Sequence, residues 1–236
     1  YSGRCGLRVN AANKFVQDNT PNNETSYRAR FYFFTADISG GEIDIFQAKN
    51  TGGTNIIRIT HDGSALRFYV NTGGAAQSVP VADNRYYAIE LAWAAGTASP
   101  ATTGTFTATV TGAGSASPAG TANFTGLANA ADSITDARLG VMAGSPTFNV
   151  GTAYFSDEFD SRRTTNPGRL CRGDADGNNA VNVFDIGAMV SEIQQPGNAA
   201  VLTQGQPDFD ESGAVNVFDI GAMVQAIQAN TQCSAL

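Results

Sequence analysis

Across the first 160 residues, apolar side chains recur at every second position in short runs, and Gly, Asn, Asp and Ser collect between the runs. Alternation of that kind predicts half-buried β-strands. They are expected at Gly6 to Val9, Tyr27 to Phe34, Glu42 to Ala48, Asn55 to Thr60, Ala65 to Val70, Tyr86 to Trp93, Thr105 to Thr111, Ala137 to Met142 and Ala153 to Phe159. Asn50-Thr-Gly-Gly, His61-Asp-Gly-Ser and Asn71-Thr-Gly-Gly mark tight turns between them, and His61, the chain's one histidine, reads as a turn residue. Nine strands without a helix among them predict an antiparallel two-sheet sandwich. Tyr87, Ile89, Leu91 and Trp93 share one strand face, as do Leu66, Phe68 and Val70, which makes both sets candidate core. The opposite faces carry Arg28, Arg30, Tyr32 and Phe34 on one strand and Arg67 and Tyr69 on another, a candidate surface for a sugar or a protein. Residues 94 to 136 are mostly Ala, Gly, Thr and Ser with no charge before Asp132, and read as part strand, part long loop.

Near residue 180 the period changes from two to that of a helix. Ile186, Met189, Val190 and Ile193 fall at i, i+3, i+4 and i+7, and Ile220, Met223, Val224 and Ile227 repeat them, one apolar helix face in each case. The repetition is literal: Ala-Val-Asn-Val-Phe-Asp-Ile-Gly-Ala-Met-Val occurs at Ala180 to Val190 and again at Ala214 to Val224. Ahead of each helix, oxygen-bearing positions stand at 1, 3, 5, 7, 9 and 12 of a twelve-residue loop. They are Asp174, Asp176, Asn178, Ala180 (through its carbonyl), Asn182 and Asp185, then Asp208, Asp210, Ser212, Ala214, Asn216 and Asp219. This spacing wraps a hard cation and predicts two bound Ca²⁺. Gly168, Gly173, Gly205 and Pro207 before the loops argue against a helix entering either one.

A duplicated unit of calcium loop plus one helix, with Val-Asn-x-x-Asp at loop positions 8 to 12, resembles the dockerin family over roughly Arg172 to Gln232. The resemblance implies a module folded by two Ca²⁺ that docks onto a cohesin-type receptor, with Val183, Phe184, Val217 and Phe218 at the partner-selecting loop positions 10 and 11. The strand order and the closing Ala153-Tyr-Phe-Ser-Asp-Glu-Phe-Asp resemble the concanavalin-A-like or laminin-G-like jelly roll, which implies ligand binding, often to glycans. Gly41-Glu42-Ile43-Asp44-Ile45-Phe46-Gln47 resembles the Glu-x-Asp-x-x-Glu strand of family 16 glycoside hydrolases. Gln47 stands where those enzymes carry their acid/base, so no catalytic activity is expected.

The net charge of −7 lies wholly beyond residue 170, where eight acids face Arg172 alone, while the first 170 residues balance at 13 and 13. A near-neutral sandwich associates readily, and the lack of a basic footprint argues against nucleic acid. No stretch resembles a membrane span. Cys171 and Cys233 flank the duplicated module. In dockerin-like folds the two ends lie close together, which implies a Cys171–Cys233 clasp in an oxidising compartment. Cys5–Cys171 is the competing pairing, and Cys5 is otherwise a buried thiol or a bond to another subunit. The chain begins at Tyr1 without Met, as a processed form would.

The expected architecture is therefore mainly β: a jelly-roll sandwich at residues 1–163, a linker at 164–170 and an α-helical, dockerin-like calcium module at 171–236. The expected protein is secreted, extracellular or at the cell surface, and non-catalytic. Its sandwich takes a polysaccharide or a protein, and its calcium module takes a cohesin-like partner. The second reading is a self-assembling subunit of an extracellular filament or surface layer, whose partners are copies of itself.

Overall fold

The computed structural model describes residues 6–39, 41–71, 74–98, 102–112, 115, 117–143, 147–148, 153–167, 175, 181–194 and 216–228. The chain falls into two compact units that meet in sequence between Pro167 and Gly168.

The first unit is built of strands β1 (Leu7–Val9), β2 (Lys14–Asp18), β3 (Ser26–Phe34), β4 (Ile38–Ser39), β5 (Ile43–Lys49), β6 (Asn55–His61), β7 (Ala65–Val70), β8 (Gln77–Pro80), β9 (Tyr86–Ala94), β10 (Gly104–Gly112), β11 (Gly120–Leu127), β12 (Asp136–Val141), β13 (Thr147–Phe148) and β14 (Tyr154–Arg162). All nine expected strands are present. The additional ones are short or poor in large apolar residues, which hides the alternation. One six-stranded antiparallel sheet runs β1-β14-β3-β9-β10-β11 and a second runs β2-β12-β5-β6-β7-β8, with β4 and β13 pairing apart. The fold is mainly β and sandwich-like, as the alternation predicts.

The two inner faces supply one core, which includes Tyr87, Ile89, Leu91, Trp93, Leu66, Phe68 and Val70. Aromatic rings bridge the gap: Phe31 of β3 stacks on Phe46 of β5 at 5.3 Å, and Phe68 of β7 meets Phe106 of β10 at 6.3 Å. The quiet stretch from residue 94 contains the β10–β11 hairpin, whose inward residues Phe106, Ala108, Val110 and Ala122 complete the core.

His61 corrects the sequence reading. It is the last residue of β6, fully buried, and its Nδ1 shares a 2.7 Å hydrogen bond with Tyr154 Oη from the other sheet. The turn itself is made by Asp62, whose carboxylate accepts from the backbone N–H groups of Ser64 and Ala65. Burial pushes the His61 imidazole down to about 4, against the opposing pull of Asp62. β14 likewise continues to Arg162, beyond Phe159 where the last strand was expected to end.

The second unit contains helices α1 (Val183–Gln194) and α2 (Val217–Gln228). Met189 and Met223 are fully buried together with Ala175, and Ile186, Ile220 and Ile227 pack against them. The 3.6-residue period thus marks the shared face correctly, although Val190 lies at its exposed margin.

Two outcomes are expected from this packing. Because the unfolded chain binds a proton at His61 that the fold excludes, stability should fall as pH drops from about 6.5 through 4, by about 3 kcal/mol in total. Urea denaturation across that range should show the fall, and His61→Phe should remove this component from the profile. Gly140 has φ +137°, and a Cβ there would meet the Lys14 carbonyl oxygen at 2.5 Å and Phe15 Cα at 2.7 Å. Gly140→Ala should therefore strip β2 from β12 and cost about 3 kcal/mol in the same assay.

Candidate functional site: the outer face of the second sheet and the helix N-termini

Along β5, Asp44 pairs with Thr60 and Phe46 with Ile59, so Ile45 is an extra residue on this strand. The bulge turns Asp44 and Gln47, three positions apart, to the same outward side while Ile43, Ile45, Phe46 and Ala48 face the core. Gln47 Nε2 donates to Asp44 Oδ2 at 2.5 Å, and Arg58 Nε donates to Asp44 Oδ1 at 2.6 Å. Asp44 and Gln47 are only 4% and 5% exposed and form the floor of the face.

Around this floor stands a rim of longer side chains. The Arg58 guanidinium lies 4.8 Å from the centre of the Tyr69 ring. Tyr69 Oη donates to Glu42 Oε1 at 2.7 Å, and Thr60 Oγ1 donates to the same oxygen. Burial, and then this bond to a carboxylate, raise the Tyr69 phenol. Burial would also raise Asp62, but hydrogen bonds from Ser64, Arg67 and Ala65 outweigh it and hold the acid at about 2. Arg67 is thereby tied to Asp62, Nη2 to Oδ2 at 2.7 Å.

Toward the opposite edge, Arg138 lies 5.1 Å from the centre of the Phe15 ring, donates to Gln17 Oε1 at 2.8 Å and pairs with Asp136 at 3.3 Å. Burial, with Arg138 nearby, lowers the Lys49 ammonium. The face is rich in fixed donors and acceptors, and each arginine on it already has a carboxylate. At the acid/base position of the hydrolase-like strand stands Gln47, whose amide transfers no proton.

The structure divides the surface expected from Arg28, Arg30, Tyr32, Arg67 and Tyr69. The first three point outward from β3 in the first sheet and the last two from β7 in the second, so they lie on opposite faces of the sandwich and form no single site. Arg28 donates to Ser26 Oγ and to the Arg163 carbonyl, Arg30 is buried, and Tyr32 has no exposed surface. Sequence reading missed that Arg58 and Arg138 flank Gln47 and that Phe15 and Gln17 adjoin Arg138. Its one usable signal was the pair Ile45-Phe46, two adjacent apolar residues that interrupt the alternation at the bulge.

In the helical unit, both copies use their Asn and Asp in the same way. Asn182 Oδ1 accepts from Phe184 N and Asn216 Oδ1 from Phe218 N, both at 2.9 Å, capping α1 and α2. Asp185 Oδ2 and Asp219 Oδ2 accept in return from Asn182 N and Asn216 N, both at 2.7 Å. Both acids are fully buried. Asp185 Oδ1 also accepts from Ala175 N at 2.8 Å, which ties loop position 12 to position 2.

Asp174, Asp176, Asn178, Ala180, Asp208, Asp210, Ser212 and Ala214 lie outside the described residues, as do Cys5, Cys171 and Cys233. Among the described residues no three His, Cys, Asp or Glu side chains gather as a metal site. Val183, Phe184, Val217 and Phe218 are exposed in matching pairs, with 72% of Phe184 and 74% of Phe218 open. The two phenylalanines are thus not packed between the helices.

No family model and no curated protein matches this chain. Among solved structures it is similar to a marine PL-14 alginate lyase from Aplysia kurodai, with a TM-score of 0.46 and 9% identity over 60% of this chain and 70% of that one. A cellulose-induced protein, Cip1, gives 0.45 and 13% over 69% and 88%. A Trypanosoma rangeli sialidase in complex with sialic acid gives 0.46 and 16% over 68% of this chain but only 26% of that protein. Likeness at this level assigns no activity and adds nothing to the two-sheet architecture described above. No helix among the described residues is long and apolar enough to cross a membrane.

The exposure of the paired phenylalanines has a direct consequence. Phe184→Ala together with Phe218→Ala should change the melting free energy by less than about 0.5 kcal/mol, because neither ring fills a core. A loss of several times that value would place them in the packing.

Proposed function

We propose that this chain is a secreted, non-catalytic attachment protein of the cell exterior. Its sandwich holds a glycan or a protein on the outer face of the second sheet, and its helical unit folds around two Ca²⁺ and docks onto a cohesin-like partner. The observation that carries the reading is the floor of Asp44 and Gln47 with Arg58 bonded to it, a polar network fixed before any ligand arrives. A preorganised network serves binding, and the amide at Gln47 supports a non-catalytic role.

For the metal, the buried carboxylates Asp185 and Asp219 at equivalent places support the fit, as does the closure of the first loop through Ala175. Asp174, Asp176, Asn178, the Ala180 carbonyl, Asn182 and Asp185 would hold one Ca²⁺. Asp208, Asp210, Ser212, the Ala214 carbonyl, Asn216 and Asp219 would hold the other. The cations supply charge that draws the acidic loops together. Val183, Phe184, Val217 and Phe218 form the proposed docking patch, and a Cys171–Cys233 bond would clasp the ends of the unit.

The same exposed pairs, with Phe15 and Val16 open on edge strand β2, favour one alternative: a filament or surface-layer subunit whose copies associate with one another.

Calorimetry tests the metal. With calcium at about a hundredfold excess over its dissociation constant, each site should add about 3 kcal/mol, raising the melting point of the helical unit by roughly 10 °C or more over its value in chelator. Asp174→Ala with Asp208→Ala should remove that response and leave the sandwich transition in place. An identical melt for parent and double variant in both buffers would defeat the calcium reading. Light scattering of the same samples separates the alternatives, since large particles that disperse in chelator belong only to the self-assembling subunit.

A further inference from the structure

The register of the second sheet lines up five outward side chains across five strands. Gln17 of β2 lies opposite Arg138 of β12, Arg138 opposite Gln47 of β5, Gln47 opposite Arg58 of β6, and Arg58 opposite Tyr69 of β7. Neighbouring strands lie about 4.8 Å apart, so the row is roughly 19 Å long and runs perpendicular to the strands. It is an amide, a guanidinium, an amide, a guanidinium and a phenol. Each guanidinium lies over an aromatic ring, Arg138 on Phe15 and Arg58 on Tyr69.

We infer that this row binds a neutral, hydroxyl-rich polysaccharide laid across the strands, with the stacked pairs Arg138–Phe15 and Arg58–Tyr69 as two platforms whose guanidinium N–H groups donate to hydroxyls. The inference rests on the glycan reading of the sandwich and narrows it to one face and one class of ligand.

Three observations carry it. First, the charges cancel locally: Arg58 pairs with Asp44 at 2.6 Å, Arg138 with Asp136 at 3.3 Å and Arg67 with Asp62 at 2.7 Å. An anionic chain would find carboxylates beside every cation, whereas hydroxyls use donors and acceptors without needing net charge. Arg58 engages Asp44 through Nε, which leaves the outer edge of its fork to a ligand. Second, the centre of the row is hydrogen-bonded and buried. The carboxylate of Asp44 is an acceptor, so the Gln47 amide must present its NH₂ to it, and that fixes the amide's orientation. Third, one end is open: Phe15 is 39% exposed and Gln17 is exposed on the same face of β2, while Tyr69 at the other end is half-buried.

The test uses the full chain in calcium, titrated calorimetrically with neutral polymers (a β-1,3-glucan, a β-1,4-glucan, a xylan, a mannan) and acidic ones (alginate, polygalacturonate). Salt is varied from about 0.05 to about 0.5 M. The expected result is binding of a neutral polymer with less than a twofold change across that range, weakened about tenfold by Phe15→Ala and by Tyr69→Ala. Both variants should keep the parent's circular dichroism at the temperature of the titration. Tyr69→Phe, which retains the ring, should recover most of the loss.

Binding confined to acidic polymers and abolished by salt would overturn the neutral class while leaving the glycan reading standing. Neutral binding untouched by either alanine variant would move the site off this row. Failure of every polymer to bind would overturn both the inference and the glycan reading beneath it.

Discussion

Phe31 stacks on Phe46 across the gap between the sheets, and that contact requires Phe46 to point inward although Gln47 must then point out and Asp44 already does. A regular strand cannot place residues 43, 45, 46 and 48 on one side. Ile45 resolves the conflict by bulging, and the outer surface takes its pattern from this demand of the core. Asp44 and Gln47 meet because the inner face needs two consecutive apolar side chains. Arg58 reaches Asp44 because β6 is held in register by Ile57 and Ile59 beneath it. The polar face is thus a by-product of apolar burial, which lends it a rigidity that surface ion pairs rarely have.

The helical unit depends on a different constraint. Two helices of twelve residues cannot bury much, and the described core is two methionines, one alanine and a margin of isoleucines. Its specificity comes from the helix starts, where Asn and Asp exchange hydrogen bonds with the backbone in the same way in both copies. A buried carboxylate is tolerable there because N–H groups and the helix dipole face it. The same requirement leaves the next two residues, Val and Phe, nowhere to go but outward.

Much of this was legible in the sequence, and the boundary is instructive. Strong alternation found the long strands and the core faces, and the eleven-residue repeat found both helices. What escaped depends on which strand neighbours which. Arg30 and Arg67 look equivalent in a linear pattern, yet β3 and β7 belong to different sheets. His61 follows a strand and precedes Asp-Gly, a turn by every local rule, and only Tyr154, 93 positions away, makes it core. Strand β2 escaped because Lys14-Phe15-Val16-Gln17-Asp18 is exposed almost throughout and alternates nothing.

That last strand gives the polar row unequal ends. From Gln47 to Tyr69 the row stands on β5, β6 and β7, each flanked by strands on both sides, whereas Gln17 and Phe15 stand on a border strand paired with β12 alone. Border strands open and close on their own far more often than central ones, and their amides exchange with solvent accordingly. Any ligand that spans the row must quiet one end while finding the other already still. The grip on such a ligand would therefore have an entropic gradient, firm at Arg58 and adaptable at Phe15, and its first contact to release would be the one on the border strand.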